Sequence, residues 1–432
     1  MKSPFTIFLI GSVVFMSHLF SALFSRKMIP DVLLLMFLGW LVGPVSGLVK
    51  ASDFGAVGPI FSILTLIVIL FQESLDIDFR IIKQSLKSTV TLTLAHFFIT
   101  VGIVGGALFF LGQWRPTLLE FIGLETFINF HFNKALLIGT IVGATSISII
   151  APLLQKLNIQ EKAKSTLLLE ATLGEVLMIV LFFTLLDFIL SGYFHFGLTT
   201  GKFISSILFA IILGVGGGCF WSFILNEIRI VKNSIFTTPA FLFVVFGITE
   251  LMGFSGVIST LSLGITLGNI ELFNLSFLKK HFPSEPIKLN EVEKTFLSEV
   301  VFLFKTFFFI YMGICLELNH VGIMFLGGIL ALFIFILRIP VIRFCISRET
   351  TVSDASLMAM MTPKGLVSAV LAAIPLQRGV EGGETIQMLV YSIIFFSIIF
   401  MSLLIFFLKN PIFSKIYSFC LSNFKKEEIK LS

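Results

Sequence analysis

Two acidic residues, Glu170 and Glu175, interrupt the otherwise apolar stretch 165–190. An acidic side chain at the centre of a bilayer costs roughly 2.5 to 3.5 kcal/mol on insertion scales, so its presence there indicates a functional site. A carboxylate in a low-dielectric cavity is a group for which a proton and a cation can compete. We therefore predict that Glu175 binds a cation and a proton in turn. The alternative is a structural acid that is hydrogen-bonded within the core.

Glu170 faces a different direction from Glu175, because five residues correspond to roughly 140° around a helix. Lys364, in the apolar stretch 353–375, is equally costly to leave unpaired in a membrane. We predict that Glu170 and Lys364 form a structural ion pair between the two halves of the chain. Two alternatives remain open: either side chain ends in a water-filled cavity, or Lys364 neutralises the carbonyl ends of the broken helix.

Hydroxyl side chains cluster in the apolar stretch 134–154. Thr145, Ser146 and Ser148 offer oxygen ligands, which suit a hard alkali cation better than sulfur or imidazole does. Thr172, one turn before the second acid on the same helix face, offers a further hydroxyl. Small hydroxyl residues in membrane helices are equally often packing contacts between helices, so both interpretations stand at this point.

Two more polar residues lie inside apolar stretches. Arg338 is close to the end of its stretch, and we expect its long side chain to extend to the inner membrane surface. His96 is a lone histidine on an apolar face, which we interpret as structural, with pH sensing as the alternative.

Composition excludes a water-soluble globular protein. Of 432 residues, 56% are hydrophobic and only 13% are charged, against about 25% charged residues in soluble domains. The mean hydropathy is +1.04. The four cysteines are far apart and lack metal-ligand or CxxC spacing. No HExxH, P-loop, GxGxxG or Ser-His-Asp pattern occurs, so we expect no enzyme, no cofactor and no nucleic-acid partner.

Apolar runs of about 20 residues, the length that crosses a bilayer, predict an all-α polytopic membrane protein with about 13 transmembrane helices. The stretch nearest the amino terminus has no evident cleavage site and is interpreted as an uncleaved helix. The predicted spans are 4–24, 29–49, 57–75, 89–111, 134–154, 165–190, 203–226, 235–254, 256–273, 295–317, 320–342, 353–375 and 385–408.

Lysine and arginine segregate between the two sides of the predicted membrane. Of the 30, 21 fall in loops after odd-numbered spans or in the tail, six fall on the opposite side, and three lie inside spans. Because cytoplasmic loops carry the excess of positive charge, the amino terminus is predicted outside and the carboxyl terminus in the cytoplasm. The membrane would be the cell's plasma or inner membrane.

Spans 5 and 12 both contain helix-breaking residues. They read GATSISIIAPLL at 143–154 and MMTPKGLVSAVL at 360–371. A separation of seven spans places them in opposite orientations, as in an inverted-topology repeat. Interrupted helices at matching positions of two halves indicate a transport site at the interface of the repeats.

Several motifs in order resemble a known family. They are MIPDVLLLMFLGWLVGP (28–44), GATSISIIAPLL followed by LLLEATLGEVL (167–177), ELMGFSGVISTLSLGITLGN (250–269) and TPKGLVSAVLA (362–372). Over about 28–408 the chain resembles the monovalent cation/proton antiporter superfamily, specifically the sodium/proton exchangers.

The resemblance implies a core domain with two crossed discontinuous helices, which moves against a dimerisation domain in an elevator-like step. It also implies a homodimer. Within a single transmembrane unit, 1–432, the core bundle would be 89–190 and 320–408, the dimerisation or scaffold helices 1–75 and 203–317, and the short cytoplasmic tail 409–432.

The resemblance also assigns roles by motif position. Glu175 matches the ion-binding carboxylate, Thr145 the threonine of the first break, and Glu170 the acid that pairs with the basic residue of the second break, here Lys364. Some family members carry an acidic residue that lines the ion path near the position of Glu73. From the sequence alone, Glu73 is equally well interpreted as an acid at the membrane interface.

Three positions depart from the family pattern. Ser146 stands in place of an aspartate, Gly174 in place of asparagine, serine or a second aspartate, and Glu175 in place of an aspartate. These departures leave the identity of the cation and the stoichiometry open.

The expected function is secondary antiport of a monovalent cation against H⁺ across a lipid bilayer, with Na⁺ as the first candidate and K⁺ or Li⁺ as alternatives. With one titrating carboxylate the cycle is electroneutral, and it becomes electrogenic if Lys364 also changes protonation. A cation channel is disfavoured because no filter-like run of carbonyls is evident. An organic-anion symporter is disfavoured by thirteen spans and by the acid at Glu175.

Overall fold

The structure is a computed structural model and describes most of the chain. The described residues are 8, 11–12, 14–19, 31–54, 57–75, 79–114, 131–154, 157–192, 196–229, 234–272, 287–316, 321–408 and 411–425.

Each predicted span from the second to the thirteenth coincides with a helix or with a pair of half-helices, whereas the first, 4–24, lies largely outside the described residues. Across the described ranges the only β-pairing is one isolated bridge between Thr351 and Lys425, so the all-α class is confirmed. The described helices are α1 (Asp31–Trp40), α2 (Val57–Leu75), α3 (Phe79–Trp114), α4 (Phe132–Ile141), α5 (Ile147–Leu154), α6 (Glu161–Ser191), α7 (Phe196–Ile228), α8 (Thr237–Leu251), α9 (Gly256–Gly268), α10 (Glu291–Ile314), α11 (Val321–Cys345), α12 (Val352–Met360), α13 (Leu366–Gln377), α14 (Gly383–Phe407) and α15 (Pro411–Cys420).

Six segments of the described helices are long and apolar enough to cross a membrane, which confirms a multi-pass membrane protein. Shorter apolar helices, among them α4 and α13, supplement them, and a half-helix of this length cannot cross a bilayer alone. The six segments are Ser88–Gln113, Glu161–Ser191, Ser205–Leu225, Glu291–Ile314, Val321–Cys345 and Gly383–Phe407.

The first of two compact units comprises Met1–Pro59, Ser85–Gly192 and Thr306–Ser432. In it, α14 packs against α11 and α13. Gly327 lets α11 approach Ser392 so closely that an added Cβ would overlap its side chain, and the Ser392 hydroxyl donates to the Met324 carbonyl at 3.1 Å. Small residues of this kind allow helices to pack closely where lipid removes the hydrophobic drive for association.

The second unit comprises Ile60–Gln84 and Tyr193–Lys305. There α7 packs along α9, and a Cβ at Gly218 would lie 2.8 Å from the Cβ of Thr266. Residues 1–59 and 306–317, which the sequence placed with the scaffold, group with the first unit. The division into a moving core bundle and dimerisation helices is a functional assignment and stays a prediction.

Candidate functional site

Two interrupted helices of the first unit meet at their breaks. The first break, 142–146, separates α4 from α5, and the second, 361–365, separates α12 from α13. The backbone N–H of Ser146 donates to the Pro363 carbonyl at 2.9 Å and joins the two breaks. The predicted crossing of two discontinuous helices is thus confirmed.

The crossing depends on a glycine in the second break. A Cβ on Gly365 would overlap the side chain of Ser146, so no other residue permits this approach. Pro363 has no N–H to donate and so cannot continue α12, and its carbonyl, which lies in the unwound stretch 361–365, accepts from Ser146.

Lys364 compensates the unwound backbone of the first break. Its fully buried ammonium donates to the Ala144 carbonyl at 2.9 Å, and its own backbone N–H donates to the Ser397 hydroxyl at 2.9 Å. An unsatisfied carbonyl at membrane depth costs several kcal/mol, so this contact stabilises the break. Of the alternatives left open for Lys364, the structure supports neutralisation of carbonyl ends.

The predicted pairing of Glu170 with Lys364 is corrected by the structure, because the partner of Glu170 is Arg338. The guanidinium of Arg338 donates to both carboxylate oxygens of Glu170, and its Nε donates to the Met358 carbonyl at 3.3 Å. Arg338 is 0% exposed, so it does not extend to the membrane surface as expected. This pair ties α6 to α11 and, through Met358, to the end of α12.

The physical reason for the correction lies in the chemistry of the two bases. Arginine stays charged in proteins and offers a planar fork that matches both oxygens of a carboxylate. A buried arginine therefore requires an acid, whereas a lysine ammonium can be satisfied by carbonyl and hydroxyl oxygens. Because Arg338 is close to the end of its predicted span, the sequence did not indicate that its side chain is buried.

Glu175 is a residue of α6, and its carboxylate lies at the N-terminus of α5, the half-helix that follows the first break. One of its carboxylate oxygens accepts a hydrogen bond from the N–H of Ile147, the first residue of α5, at 3.3 Å. Its side chain is buried, and the preceding residue, Gly174, lies against Ala144. The positive end of a helix dipole stabilises an ionised carboxylate there. The prediction that this acid belongs to the crossing agrees with its position, and its role in binding stays a prediction.

The hydroxyl groups predicted as cation ligands differ in whether they are already hydrogen-bonded. The Thr145 hydroxyl is buried and has no hydrogen-bond partner among the described residues. The Ser146 and Ser148 hydroxyls lie 2.9 Å apart, and the Thr172 hydroxyl donates to the Leu168 carbonyl at 2.9 Å within α6. A buried hydroxyl without a partner is costly, and Thr145 is the one of these four residues whose hydroxyl has unused hydrogen-bonding capacity; its role as a ligand stays a prediction.

His96, interpreted from the sequence as a lone structural histidine, contacts the second break. Its Nε2 lies 3.1 Å from the hydroxyl oxygen of Thr362, which in turn lies 3.5 Å from the Lys364 ammonium. The sequence did signal this position, since Thr89, Thr93, His96 and Thr100 recur at helical spacing and form one polar stripe on α3. Glu73 lies near the end of α2 in the second unit, and its role stays a prediction.

The family described as sodium/hydrogen exchanger, transmembrane, matches residues 11–410. The solved structure of the sodium proton antiporter MjNhaP1 from Methanocaldococcus jannaschii at pH 8 matches with a TM-score of 0.70. That match covers 93% of this chain and 100% of the other at 19% identity, and it shows the fold.

Two curated relatives align with most of the chain. The K(+)/H(+) antiporter NhaP2 of Shewanella baltica is 23% identical over 402 residues, which are 91% of this chain and 64% of the relative. The Na(+)/H(+) antiporter 1 of Methanocaldococcus jannaschii is 23% identical over 387 residues, which are 84% of this chain and 81% of the relative. The chain thus spans a little under two thirds of the length of the first of these relatives.

Proposed function

Because the chain belongs to the sodium/hydrogen exchanger family, we propose that it is a secondary antiporter that exchanges a monovalent cation for a proton across a membrane. The observation that carries the proposal is the buried carboxylate of Glu175, which meets the first residue of α5 at the crossing of two broken helices. Relatives named as sodium/proton and potassium/proton antiporters support it.

The exchange follows from competition at one site. A dehydrated alkali cation needs oxygen ligands, and Glu175 together with the unpartnered hydroxyl of Thr145 supplies a charged and a neutral one. The ionised carboxylate binds the cation, and protonation removes the charge that holds it. Cation and proton therefore occupy Glu175 in turn, and neither crosses with the other.

The charges of the neighbouring groups favour an electroneutral cycle. Arg338 and Glu170 neutralise each other, and Lys364 is engaged with the Ala144 carbonyl. The Lys364 charge then stays constant through the cycle, and Glu175 takes up one positive charge at a time, either as a cation or as a proton. A change in the protonation of Lys364 during the cycle would make transport electrogenic.

Na⁺ is the first candidate for the cation and K⁺ the alternative. The relatives include antiporters named for each, which supports monovalent cations as a class. The wider proposal includes a homodimer, an elevator-like movement of the core bundle, and a plasma-membrane location with the amino terminus outside. The asymmetry of lysine and arginine between the loops supports this orientation.

The test is proton efflux from proteoliposomes that carry an acid interior and a pH-sensitive fluorophore. Na⁺, Li⁺, K⁺ and an organic anion are added in turn to wild type, to Glu175→Gln and to Glu161→Gln. Glu161 is a matched control because it is an exposed acid at the start of the same helix. We expect cation-dependent proton movement in wild type and Glu161→Gln and its loss in Glu175→Gln.

Three results would contradict the proposal. Undiminished exchange by Glu175→Gln would refute the role of the carboxylate. Uphill movement of the organic anion would favour a symporter, and cation flux that ignores the proton gradient would favour a channel. A membrane-potential probe in the same vesicles separates electroneutral from electrogenic exchange.

A further inference from the structure

A buried polar network connects α3 to the second break and, through the second break, to the first. His96 Nε2 contacts the Thr362 hydroxyl at 3.1 Å, the Thr362 hydroxyl contacts Lys364 Nζ at 3.5 Å, and Nζ donates to the Ala144 carbonyl at 2.9 Å. The three side chains are between 0 and 3% exposed. This network ends at Ala144, the residue before Thr145.

The donors and acceptors of these groups determine the direction of the hydrogen bonds in the network. A lysine ammonium only donates, so the Thr362 oxygen accepts from Lys364. A threonine hydroxyl has one hydrogen and two lone pairs, so its hydrogen remains available for His96. We assign this hydrogen to His96, so that neutral imidazole accepts at Nε2.

The Lys364 ammonium lies on the other side of the Thr362 hydroxyl from His96. Arg338 and Glu170 are paired with each other, whereas Lys364 donates to neutral oxygens and has no acidic partner among the described residues. A second positive charge on His96 would face it across one hydroxyl group.

We propose that His96 is a positioning residue of the exchange site: it accepts the Thr362 hydrogen, turns the Thr362 oxygen toward Lys364, and so holds the ammonium on the Ala144 carbonyl. This role rests on the proposed function, since it acts through the break that carries Thr145 and adjoins Glu175. Loss of the acceptor frees the hydroxyl to rotate, and the ammonium loses one of its two contacts. The unwound backbone before Thr145 then moves, and the exchange rate falls although His96 touches neither cation nor proton.

A double-mutant cycle of exchange rates tests the proposal, with His96→Leu and Thr362→Val as the variants that remove each partner. We expect each single variant to lower the rate about fivefold or more, and the double variant to be no more than about twofold below the slower single variant. His96→Gln and Thr362→Ser retain an acceptor and a hydroxyl, and we expect each to keep at least about half of the wild-type rate.

Thr100→Val is the matched control. Its hydroxyl lies on the same stripe of α3, is equally buried and has no hydrogen-bond partner within the described residues, so we expect a rate close to that of wild type. If His96→Leu does not reach the membrane, His96→Asn replaces it, because asparagine stays polar while its shorter side chain falls short of Thr362.

Multiplicative effects of His96→Leu and Thr362→Val would overturn the proposal, as would failure of both Gln and Ser to restore the rate. Those outcomes would leave the antiport function intact as long as wild type exchanges and Glu175→Gln does not. A wild-type protein without cation-dependent proton movement would refute the proposed function and this role together.

Discussion

Removal of the Arg338 guanidinium should destabilise the protein strongly. Arg338→Met removes two hydrogen bonds to Glu170 and one to the Met358 carbonyl. It leaves a carboxylate that is 2% exposed without its cation. Breaking one side of a buried ion pair costs about 3 to 5 kcal/mol, a factor between about 10² and 10⁴ in the folding equilibrium.

Two further variants separate the charge from the contacts. Arg338→Lys keeps the positive charge but cannot bridge both carboxylate oxygens and reach Met358, so its loss should be intermediate. The double variant Arg338→Met with Glu170→Leu removes both charges, and replacement of a buried pair by apolar residues is often neutral or stabilising. We therefore expect the double variant to be more stable than Arg338→Met alone.

The assay is thermal unfolding in detergent, measured as loss of the monodisperse peak in size-exclusion chromatography after heating. Arg229→Met is the matched control, because Arg229 forms the same two-pronged contact with Glu293 while both side chains remain partly exposed, at 26% and 11%. Its loss should cost about 1 kcal/mol. Two results would contradict a stabilising role of the buried pair: Arg338→Met that melts no earlier than Arg229→Met, or a double variant that melts below Arg338→Met.

Three shorter predictions follow from single contacts. Thr145→Val should raise the cation concentration for half-maximal exchange about tenfold, because it removes one oxygen ligand. Thr140→Val is the control, since the Thr140 hydroxyl donates within α4, and it should leave that concentration unchanged. Equal values for the two variants would count against Thr145 as a ligand. Gly365→Ala should abolish exchange and lower the melting temperature, because the added methyl group overlaps Ser146. Gly106→Ala should do neither, because no heavy atom lies within 4 Å of the position of its added methyl group. An active Gly365→Ala variant would contradict the close crossing of the two breaks. Burial, together with the nearby Cys420, raises the pKa of Tyr417 to about 12 from 10.0, so the docked tail loses stability as the pH rises from about 10 through 12. Limited proteolysis of the tail should show this alkaline release in wild type and not in Tyr417→Phe, and identical release in both would refute it.

The helical framework was predictable because the bilayer imposes a length on each span and a charge bias on the loops. The predicted span 165–190 falls within α6, and 385–408 corresponds to α14. Helix ends were less predictable, since α3 begins at Phe79 rather than near residue 89. Polar residues at the end of a helix carry no apolar signal, so the length of a span and the length of its helix differ.

The two breaks were predictable from residue types that cannot continue a helix. Pro363 and Gly365 interrupt the second helix, and Gly143 with its hydroxyl neighbours interrupts the first. Both breaks lie deep in apolar stretches, where freed backbone groups must find partners in the protein. That requirement predicts that the breaks meet, as Ser146 and Pro363 do.

Which base accompanies which acid was not predictable from spacing, because ion pairs between distant helices depend on how the helices are rotated about their axes. The break position of Lys364 favoured its pairing with Glu170, and the position of Arg338 near the end of its span placed that side chain at the membrane surface, so the actual partner was not considered. A rule based on chemistry would have succeeded: a permanently charged, fork-shaped Arg338 requires a carboxylate, whereas Lys364 can be satisfied by the oxygens that an unwound backbone leaves free. The same rule explains why Glu175 stays free of any basic partner that the structure describes, and a carboxylate without a fixed cation is what competition between a metal ion and a proton requires.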